Sequence, residues 1–281
     1  MKISFVVSTL GRQKELDSLL LSMYEVSKYS HEVLIIDQNF NTLLDEIVLR
    51  HSKKINIVHH KVDFRSLSKA KNFGILHAKG DFICFPDDDS TFLEKTIHNG
   101  ISFLDKNPLV DVVFGKCVDD KGLDSVIKFA TSSGELTLND FEGKFIEATL
   151  FARSSVLKSN LFDENLGIGS FFGAEEGYDL VYRLLHLKFK LFYNIDILFY
   201  HPQALLDYDS LGGFKRVFNY RLGFAYLCMK HSFYFKYFKR LLIAFIGIFF
   251  YLIFNNKKSK YYIIEFSSLV VGGLFAKKIF K

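Results

Sequence analysis

The sequence predicts an α/β fold built on a doubly wound sheet, followed by a C-terminal region of membrane-associated helices. Three observations carry this. Short apolar runs alternate with segments of helical spacing over about the first 200 residues, the pattern of buried strands wrapped by amphipathic helices. Thr9, Asp37 and the run Asp87-Asp88-Asp89 each fall just past the end of an expected strand. Ligands of such sheets sit at that rim. After Lys230 the chain turns rich in Lys and Phe and nearly free of acids.

Taken in order, Ile3–Ser8 reads as a buried strand, Thr9-Leu10-Gly11-Arg12 as a turn, and Leu16, Leu19, Leu20 and Met23 as one face of a helix. Val33–Ile36 is a second strand ending at Asp37, and Leu43, Leu44, Ile47 and Val48 mark a helix. Ile55–Val58 is a third strand. Residues 66–78 are helical and stop at Lys79-Gly80, a normal C-terminal signal. Phe82–Phe85 is the strand that leads to the acids, Thr91–Leu104 a helix, and Val110–Phe114 a strand. Residues 115–145 contain Gly115, Gly122, Gly134 and Gly143 as breakers and are expected as loops with a short strand pair on the acceptor side. Phe145–Phe151 reads as a strand. The Gly-rich run Leu166–Gly173 is expected to be a flexible loop, and a helix follows from Ala174-Glu175-Glu176 to about Leu187. Phe189–Tyr200 holds one or two strands, ending at His201-Pro202.

Bulk composition bounds the function. At 281 residues, 49% apolar and 24% charged, the chain is ordered and large enough for one domain with an appendage. Net charge is +5, with the surplus placed after Lys230. Such asymmetry suits an anionic surface, and the interleaved apolar runs favour membrane, so no nucleic-acid partner is expected. Cys84, Cys117 and Cys228 are odd in number and far apart, with neither metal-ligand spacing nor a disulfide framework, which points to a reducing compartment. Met1-Lys2 runs directly into Ile3–Val7, and Arg12 follows before a hydrophobic leader could form, so no signal peptide is expected.

Three adjacent carboxylates repel one another. A fold tolerates them when a hard metal ion or another counter-charge sits nearby. Thr91-x-x-Glu94 also reads as a capping box, so the acids could instead serve the positive end of a helix.

Five ordered motifs carry a family resemblance: Val7-Ser8-Thr9-Leu10-Gly11-Arg12, Leu34-Ile35-Ile36-Asp37-Gln38-Asn39, Leu67–Ile75 with Lys71-Asn72, Phe85-Pro86-Asp87-Asp88-Asp89, and Gly173-Ala174-Glu175-Glu176 leading to Asp179 and Arg183. Over roughly residues 1–205 the chain resembles the family 2 glycosyltransferases of GT-A fold, of the bacterial exopolysaccharide and O-antigen type. The resemblance implies a doubly wound mixed sheet that binds a nucleotide-diphosphate sugar and, with Mg²⁺ or Mn²⁺, transfers the sugar with inversion. It places Thr9, Arg12, Asp37, Lys71, Asn72, Asp87 and Asp88 at the nucleotide sugar, with Thr9 and Asp37 at the base. It assigns the metal to Asp89 and Asp87, with His201 as a further ligand. The general base falls at Glu176, with Asp179 or Glu175 as alternatives. Lys71 stands where the family has Arg, which keeps the charge and loses the bidentate fork. A nucleotidyltransferase and a non-catalytic sugar-binding module are the competing readings. Against the first, the N-terminal region lacks a Gly-rich, Lys-containing phosphate loop.

The chain divides on this reading into a catalytic domain, 1–210, and a membrane-attachment region, 211–281. Val217, Tyr220, Phe224 and Leu227 form an apolar helical face; Leu241–Phe254 is an uncharged run of 14 residues; Asn255–Lys260 interrupts; and Tyr261–Ala276 is a second apolar run that contains Glu265. A spanning helix needs roughly 20 apolar residues, and a two-helix hairpin would put Lys257, Lys258 and Lys260 across the membrane from the other basic flanks. A peripheral or monotopic attachment to the cytoplasmic face of the inner membrane is therefore expected, with snorkelling Lys side chains. That placement suits a saccharide acceptor, polyprenyl-linked for instance. Homo-oligomerisation stays open.

Overall fold

A computed structural model describes residues 2–203, 210–254 and 256–280. In chain order its elements are β1 (Lys2–Thr9), α1 (Gln13–Ser22), β2 (Ser30–Asp37), α2 (Asp45–His51), β3 (Ile57–Lys61), α3 (Leu67–His77), β4 (Phe82–Cys84), β5 (Thr91–Phe92), α4 (Thr96–Lys106), β6 (Val112–Val118), β7 (Gly134–Glu135), β8 (Leu150–Arg153), α5 (Ser154–Ser159), α6 (Glu176–His186), β9 (Leu191–Tyr200), α7 (Leu211–Lys230), α8 (Tyr234–Phe254) and α9 (Asn256–Ile279). They fall into two compact units. The first is 1–65, 69–162 and 180–204; the second is 66–68, 163–179 and 205–281.

The first unit holds one mixed sheet in the order β3-β2-β1-β4-β8-β6-β9-β5, with β7 on β9. β1 to β4 run parallel, β8 is antiparallel to both β4 and β6, and β9 is parallel to β6. The chain winds outward from β1 through β2 to β3, then returns to place β4 on the other side of β1. The carboxyl ends of β1 and β4 therefore flank a topological switch point. The expected α/β class and the alternation of elements hold. Phe5, Val7, Ile35, Ile83, Val113 and Phe151 are fully buried in the sheet.

Four boundaries differ from the sequence reading. β3 lies two residues later than expected. The helix expected from Thr91 begins at Thr96, because buried Phe92 pairs in β5 with β9 and Lys95 turns the backbone left-handed at φ 69°. The Thr91–Glu94 capping box thus has no helix to cap. Gly115 does not break β6. It sits within the strand at a bulge, where a Cβ would lie 2.2 Å from Ile197 O, so its lack of a side chain lets β9 approach. The strand expected over Phe145–Phe151 is a 3₁₀ turn, Glu147–Thr149, followed by β8, since the Thr149 hydroxyl donates to Gly115 O at 3.0 Å and to Ile146 O at 2.9 Å.

In the second unit α8 and α9 form an antiparallel pair. Ser259 Oγ donates to Ile248 O at 3.1 Å, Arg240 Nε to Glu265 Oε1 at 2.7 Å, and Tyr237 OH to Leu269 O at 3.0 Å. Glu265, an acid inside an apolar run, is wholly buried and paired with Arg221 as well as Arg240. The lysines expected to interrupt the two runs, Lys257, Lys258 and Lys260, belong to the first turns of α9. Asn255 lies outside the described residues. Along α8, Phe235, Phe238, Leu242, Ile246, Phe249 and Ile253 are exposed. Their spacing gives one apolar stripe for the length of the helix. The 21 residues of α8 are long and apolar enough to cross a membrane.

Packing of the sheet yields a test with opposing terms. Gly100 lies in α4, where Ala would raise helix propensity by up to about 1 kcal/mol. A Cβ there would sit 2.5 Å from the buried Phe151 ring, and such overpacking costs about 1–3 kcal/mol. Gly100→Ala is expected to lower the free energy of urea unfolding by about 1 kcal/mol, and an increase would show that the Phe151 ring yields.

Candidate active site

The parallel register sets Thr9 directly beside Asp37 at the carboxyl ends of β1 and β2. Both are buried. Gly11, at φ 72°, turns the chain back so that its N–H donates to Asn39 Oδ1 at 2.9 Å. Asp37 accepts from the Asn39 backbone N–H at 2.9 Å and from His59 Nε2 at 2.9 Å. Burial works against its charge, but the bonds from His59 and Asn39 prevail and hold the carboxyl below its ordinary range. It is therefore a fixed anionic acceptor on the rim.

β4 ends at Cys84, and Phe85-Pro86 carries the chain into the acid run. The three carboxylates diverge. Asp88 takes Arg12 Nη1 at 3.0 Å, and Arg12 also pairs with Asp89. The buried Thr9 hydroxyl stands close enough to oppose the rise of the Asp88 carboxyl, yet among the described residues meets no partner at full hydrogen-bond geometry. Asp87, Asp89 and His201 each offer a ligand atom, and these atoms lie within 4.8 Å of one another. His201 reaches this group because β9 ends at Tyr200 and the His201 N–H donates to Val118 O at 3.0 Å. Its Nε2 is 3.4 Å from Asp89 Oδ1.

Burial pushes the Asp87 carboxyl up to about 6; nearby Lys71 opposes this, while Glu147 and Asp89 add to it. Asp88 is raised as well, by burial first. Burial would raise Asp89 too, but His201 and Arg12 outweigh it and its carboxyl is lowered. His201 is raised in turn, the bond to Asp89 overcoming burial. Among the described residues, four carboxylates thus share two fixed cations and one imidazole, an arrangement still short of positive charge. Two carboxylates and one imidazole make a donor set that fits Mg²⁺ or Mn²⁺.

Lys71 is buried between the Phe85 and Phe162 rings, with Nζ 3.5 Å from Glu147 Oε1. Asn72 closes a two-way bond with Phe162: its Nδ2 donates to Phe162 O at 2.9 Å, and Phe162 N donates to its Oδ1 at 2.8 Å. The amide expected at the donor thus also ties down the chain before Asp163.

The later acids belong to the second unit. Glu176 opens α6, and Glu175 before it is left-handed at φ 74°. Asp179 has no exposed surface and pairs with Lys230 at 2.7 Å and His231 at 2.8 Å. The loop expected to be flexible is tied at several points. Gly167 N donates to Phe172 O at 2.9 Å, Leu67 N to Ile168 O at 2.8 Å, and Ser68 Oγ to Leu166 O at 2.6 Å. Arg183 donates through Nη2 to Leu161 O at 2.7 Å.

Two residues at the rim escaped the sequence reading. They are His59 and Glu147, the latter inside the run Phe145–Phe151 expected as a strand. Neither carries a local signal: His59 meets Asp37 only through the register of β2 with β3, and Glu147 reaches Lys71 only because a 3₁₀ turn precedes β8.

The model of "Glycosyl transferase family 2" matches residues 4–163, more than half of the chain and nearly all of the strand-rim motifs. The chain belongs to glycosyltransferase family 2. Among its curated relatives is the poly(ribitol-phosphate) beta-N-acetylglucosaminyltransferase TarS of Staphylococcus aureus, 25% identical over 165 residues, or 57% of this chain and 29% of TarS. The family 2 chain thus spans well under half the length of that relative. An uncharacterised glycosyltransferase of Haemophilus influenzae is 23% identical over 119 residues, covering 41% of this chain and 39% of that one. Among solved structures, TarS residues 1–349 with UDP-GlcNAc superpose with a TM-score of 0.57 at 19% identity, covering 79% of this chain and 66% of that one. A mannosyltransferase of Pyrobaculum calidifontis in complex with GDP-Man and Mn²⁺ gives 0.59 at 15% identity, over 82% and 64%. These superpositions show the GT-A fold.

The raised Asp87 carboxyl would make binding of a divalent ion at this group pH-dependent. A divalent ion needs the ionised group, so below a pKa of about 6 it must displace a proton. The raised His201 adds to this in the same direction. Titrating Mn²⁺ calorimetrically, we expect affinity to fall by well over about tenfold between about pH 7.5 and about pH 5, and the slope to flatten in Asp87→Asn. An affinity that does not change with pH would separate Asp87 from the ion.

Proposed function

We propose that this family 2 chain is an inverting glycosyltransferase. It moves a sugar from a nucleotide-diphosphate donor, UDP-GlcNAc by the relatives' example, to a hydroxyl of a saccharide or polyol acceptor in cell-surface polymer synthesis. The observation that carries this reading is the convergence of Thr9–Asp37 and Asp87–Asp89–His201 on one rim at the switch point of the sheet.

The chemistry follows from what each group can do. Asp37, anionic and immobile, selects a base that offers it an N–H. Asp87, Asp89 and His201 would hold Mg²⁺ or Mn²⁺, which supplies positive charge where the diphosphate leaves. Lys71 adds a buried cation near Asp87. Arg12 keeps Asp88 and Asp89 from repelling each other and holds the turn after β1 against the acid run. The acceptor oxygen attacks the anomeric carbon from the side opposite the diphosphate. The bond from that carbon to the diphosphate oxygen breaks, the electron pair leaves with the nucleotide, and the anomeric configuration inverts. The acceptor proton must go to a base, and we assign this to Glu176.

We assign residues 1–210 to this chemistry and 211–281 to attachment at the cytoplasmic face of the inner membrane. The exposed stripe of α8 supports the second assignment, as do the basic residues around it, Lys236, Lys239, Arg240, Lys257 and Lys258. Apolar area buried in the interface and attraction to anionic lipid act together there. A polyprenyl-linked acceptor would lie in the same plane.

Screening nucleotide sugars by thermal shift, with and without Mn²⁺, is expected to show stabilisation by UDP-linked donors. Glu176→Gln should keep that stabilisation and lose at least about a hundredfold in transfer, the usual scale for removal of a general base. If no nucleotide diphosphate stabilises the chain, the reading fails. For attachment, the full chain should float with vesicles containing phosphatidylglycerol, and Phe249→Asp with Ile253→Asp should abolish flotation. Co-flotation of that double variant at the wild-type level would remove the α8 stripe as the contact.

A further inference from the structure

The second unit raises a question that the attachment role of its helices leaves unanswered. Residues 163–179, which include Glu176, cluster with 205–281, and one face of α7 meets them from Asn219 to Lys230. Asn219, Gly223, Tyr226 and Lys230 are spaced four, three and four apart and so share that face. Asn219 O accepts from Gly173 N at 3.2 Å. A Cβ on Gly223 would lie 2.6 Å from Ala174 O, so glycine there lets the backbone before Glu175 press against the helix. Tyr226 OH donates to Asp163 Oδ2 at 2.9 Å.

At the end of this face a lysine and an imidazole converge on one acid. Lys230 Nζ is 2.6 Å from Asp163 Oδ2 and 2.7 Å from Asp179 Oδ1, and His231 Nε2 is 2.8 Å from the same Asp179 oxygen. Asp179 is wholly buried and held by both side chains. No acceptor hydroxyl can reach it, so it is ill-suited to be a base. Its position suits another task. It lies three residues after Glu176, one turn along the same helix, and its N–H donates to Glu175 O at 2.9 Å. Glu175 is held in a left-handed conformation that a non-glycine residue adopts only when its surroundings impose it. Glu176 is itself 6% exposed, with its carboxyl packed against Gly167.

We propose that Lys230 and His231 are positioning residues for glycosyl transfer: by fixing Asp179 they fix the first turn of α6, and with it the carboxylate of Glu176. The proposal rests on Glu176 serving as the base. It gives α7 a part in the reaction beyond attachment. The unpaired alternative is costly, since removing one partner of a buried charge pair leaves the other without compensation.

The test uses the full chain with Lys230→Met, His231→Gln and the conservative Lys230→Arg. Amide hydrogen exchange of residues 173–179 is read alongside UDP release from UDP-GlcNAc with Mn²⁺ and water as acceptor. In Lys230→Met and His231→Gln we expect exchange in that segment to quicken about tenfold or more and kcat to fall about tenfold. KM for UDP-GlcNAc and exchange in β1 and β2 should be unchanged, and Lys230→Arg should restore much of the rate. Wild-type exchange in both variants would overturn the proposal whether or not the chain turns over this donor. Quickened exchange with unchanged kcat would overturn it too, by leaving the pair a structural role alone. A wild-type chain that releases no UDP counts against the UDP-GlcNAc reading, while the exchange measurement still decides whether the pair holds the Glu176 turn.

Discussion

Crowding of like charge at the end of β4 is the constraint that orders the rest of the first unit. Asp87, Asp88, Asp89 and Glu147 would repel one another if they stood alone. They are answered from three elements. Arg12 comes from the turn after β1, Lys71 from α3 and His201 from the exit of β9. The acid run therefore draws two other strand ends and one helix to a single rim. Among the described residues the balance still favours negative charge, a remainder that suits a divalent ion.

Burial sorts the acids by role. Asp37 and Asp89 are kept charged by donors that outweigh their desolvation, whereas Asp87 is raised by burial, which Lys71 opposes and Glu147 and Asp89 reinforce. Asp179 shows another outcome. There a carboxylate is enclosed with a lysine and an imidazole and withdrawn from solvent altogether. A run of acids that looks uniform in sequence thus contains anchors, counter-charges and ligand donors, told apart by what faces them.

Much of the fold was legible from the chain alone. Buried strands announced themselves as apolar runs, and the polar residues just beyond β1, β2 and β4 marked the rim, because strand ends at a switch point are where a sheet can present side chains to a ligand. The errors share a cause. At Thr91 and at Phe145–Phe151 local pattern favoured a helix or strand, but pairing with β9 and a bond to Gly115 decided otherwise. Such contacts join residues far apart in sequence, so no window of neighbours reveals them. His59 and Glu147 were missed for the same reason.

The sequence by itself determined the alternation of strands and helices, the family, and the residues gathered at the strand ends, since these follow from periodicity and from ordered local motifs. It also marked α8 as an apolar helix with basic flanks. Only the tertiary structure decided which cation answers which acid, that His59 holds Asp37, and that Lys230 and His231 enclose Asp179. Electrostatic pairing depends on distance in space and on exclusion of water, and both arise only once the sheet has its register and α7 lies along the segment before α6.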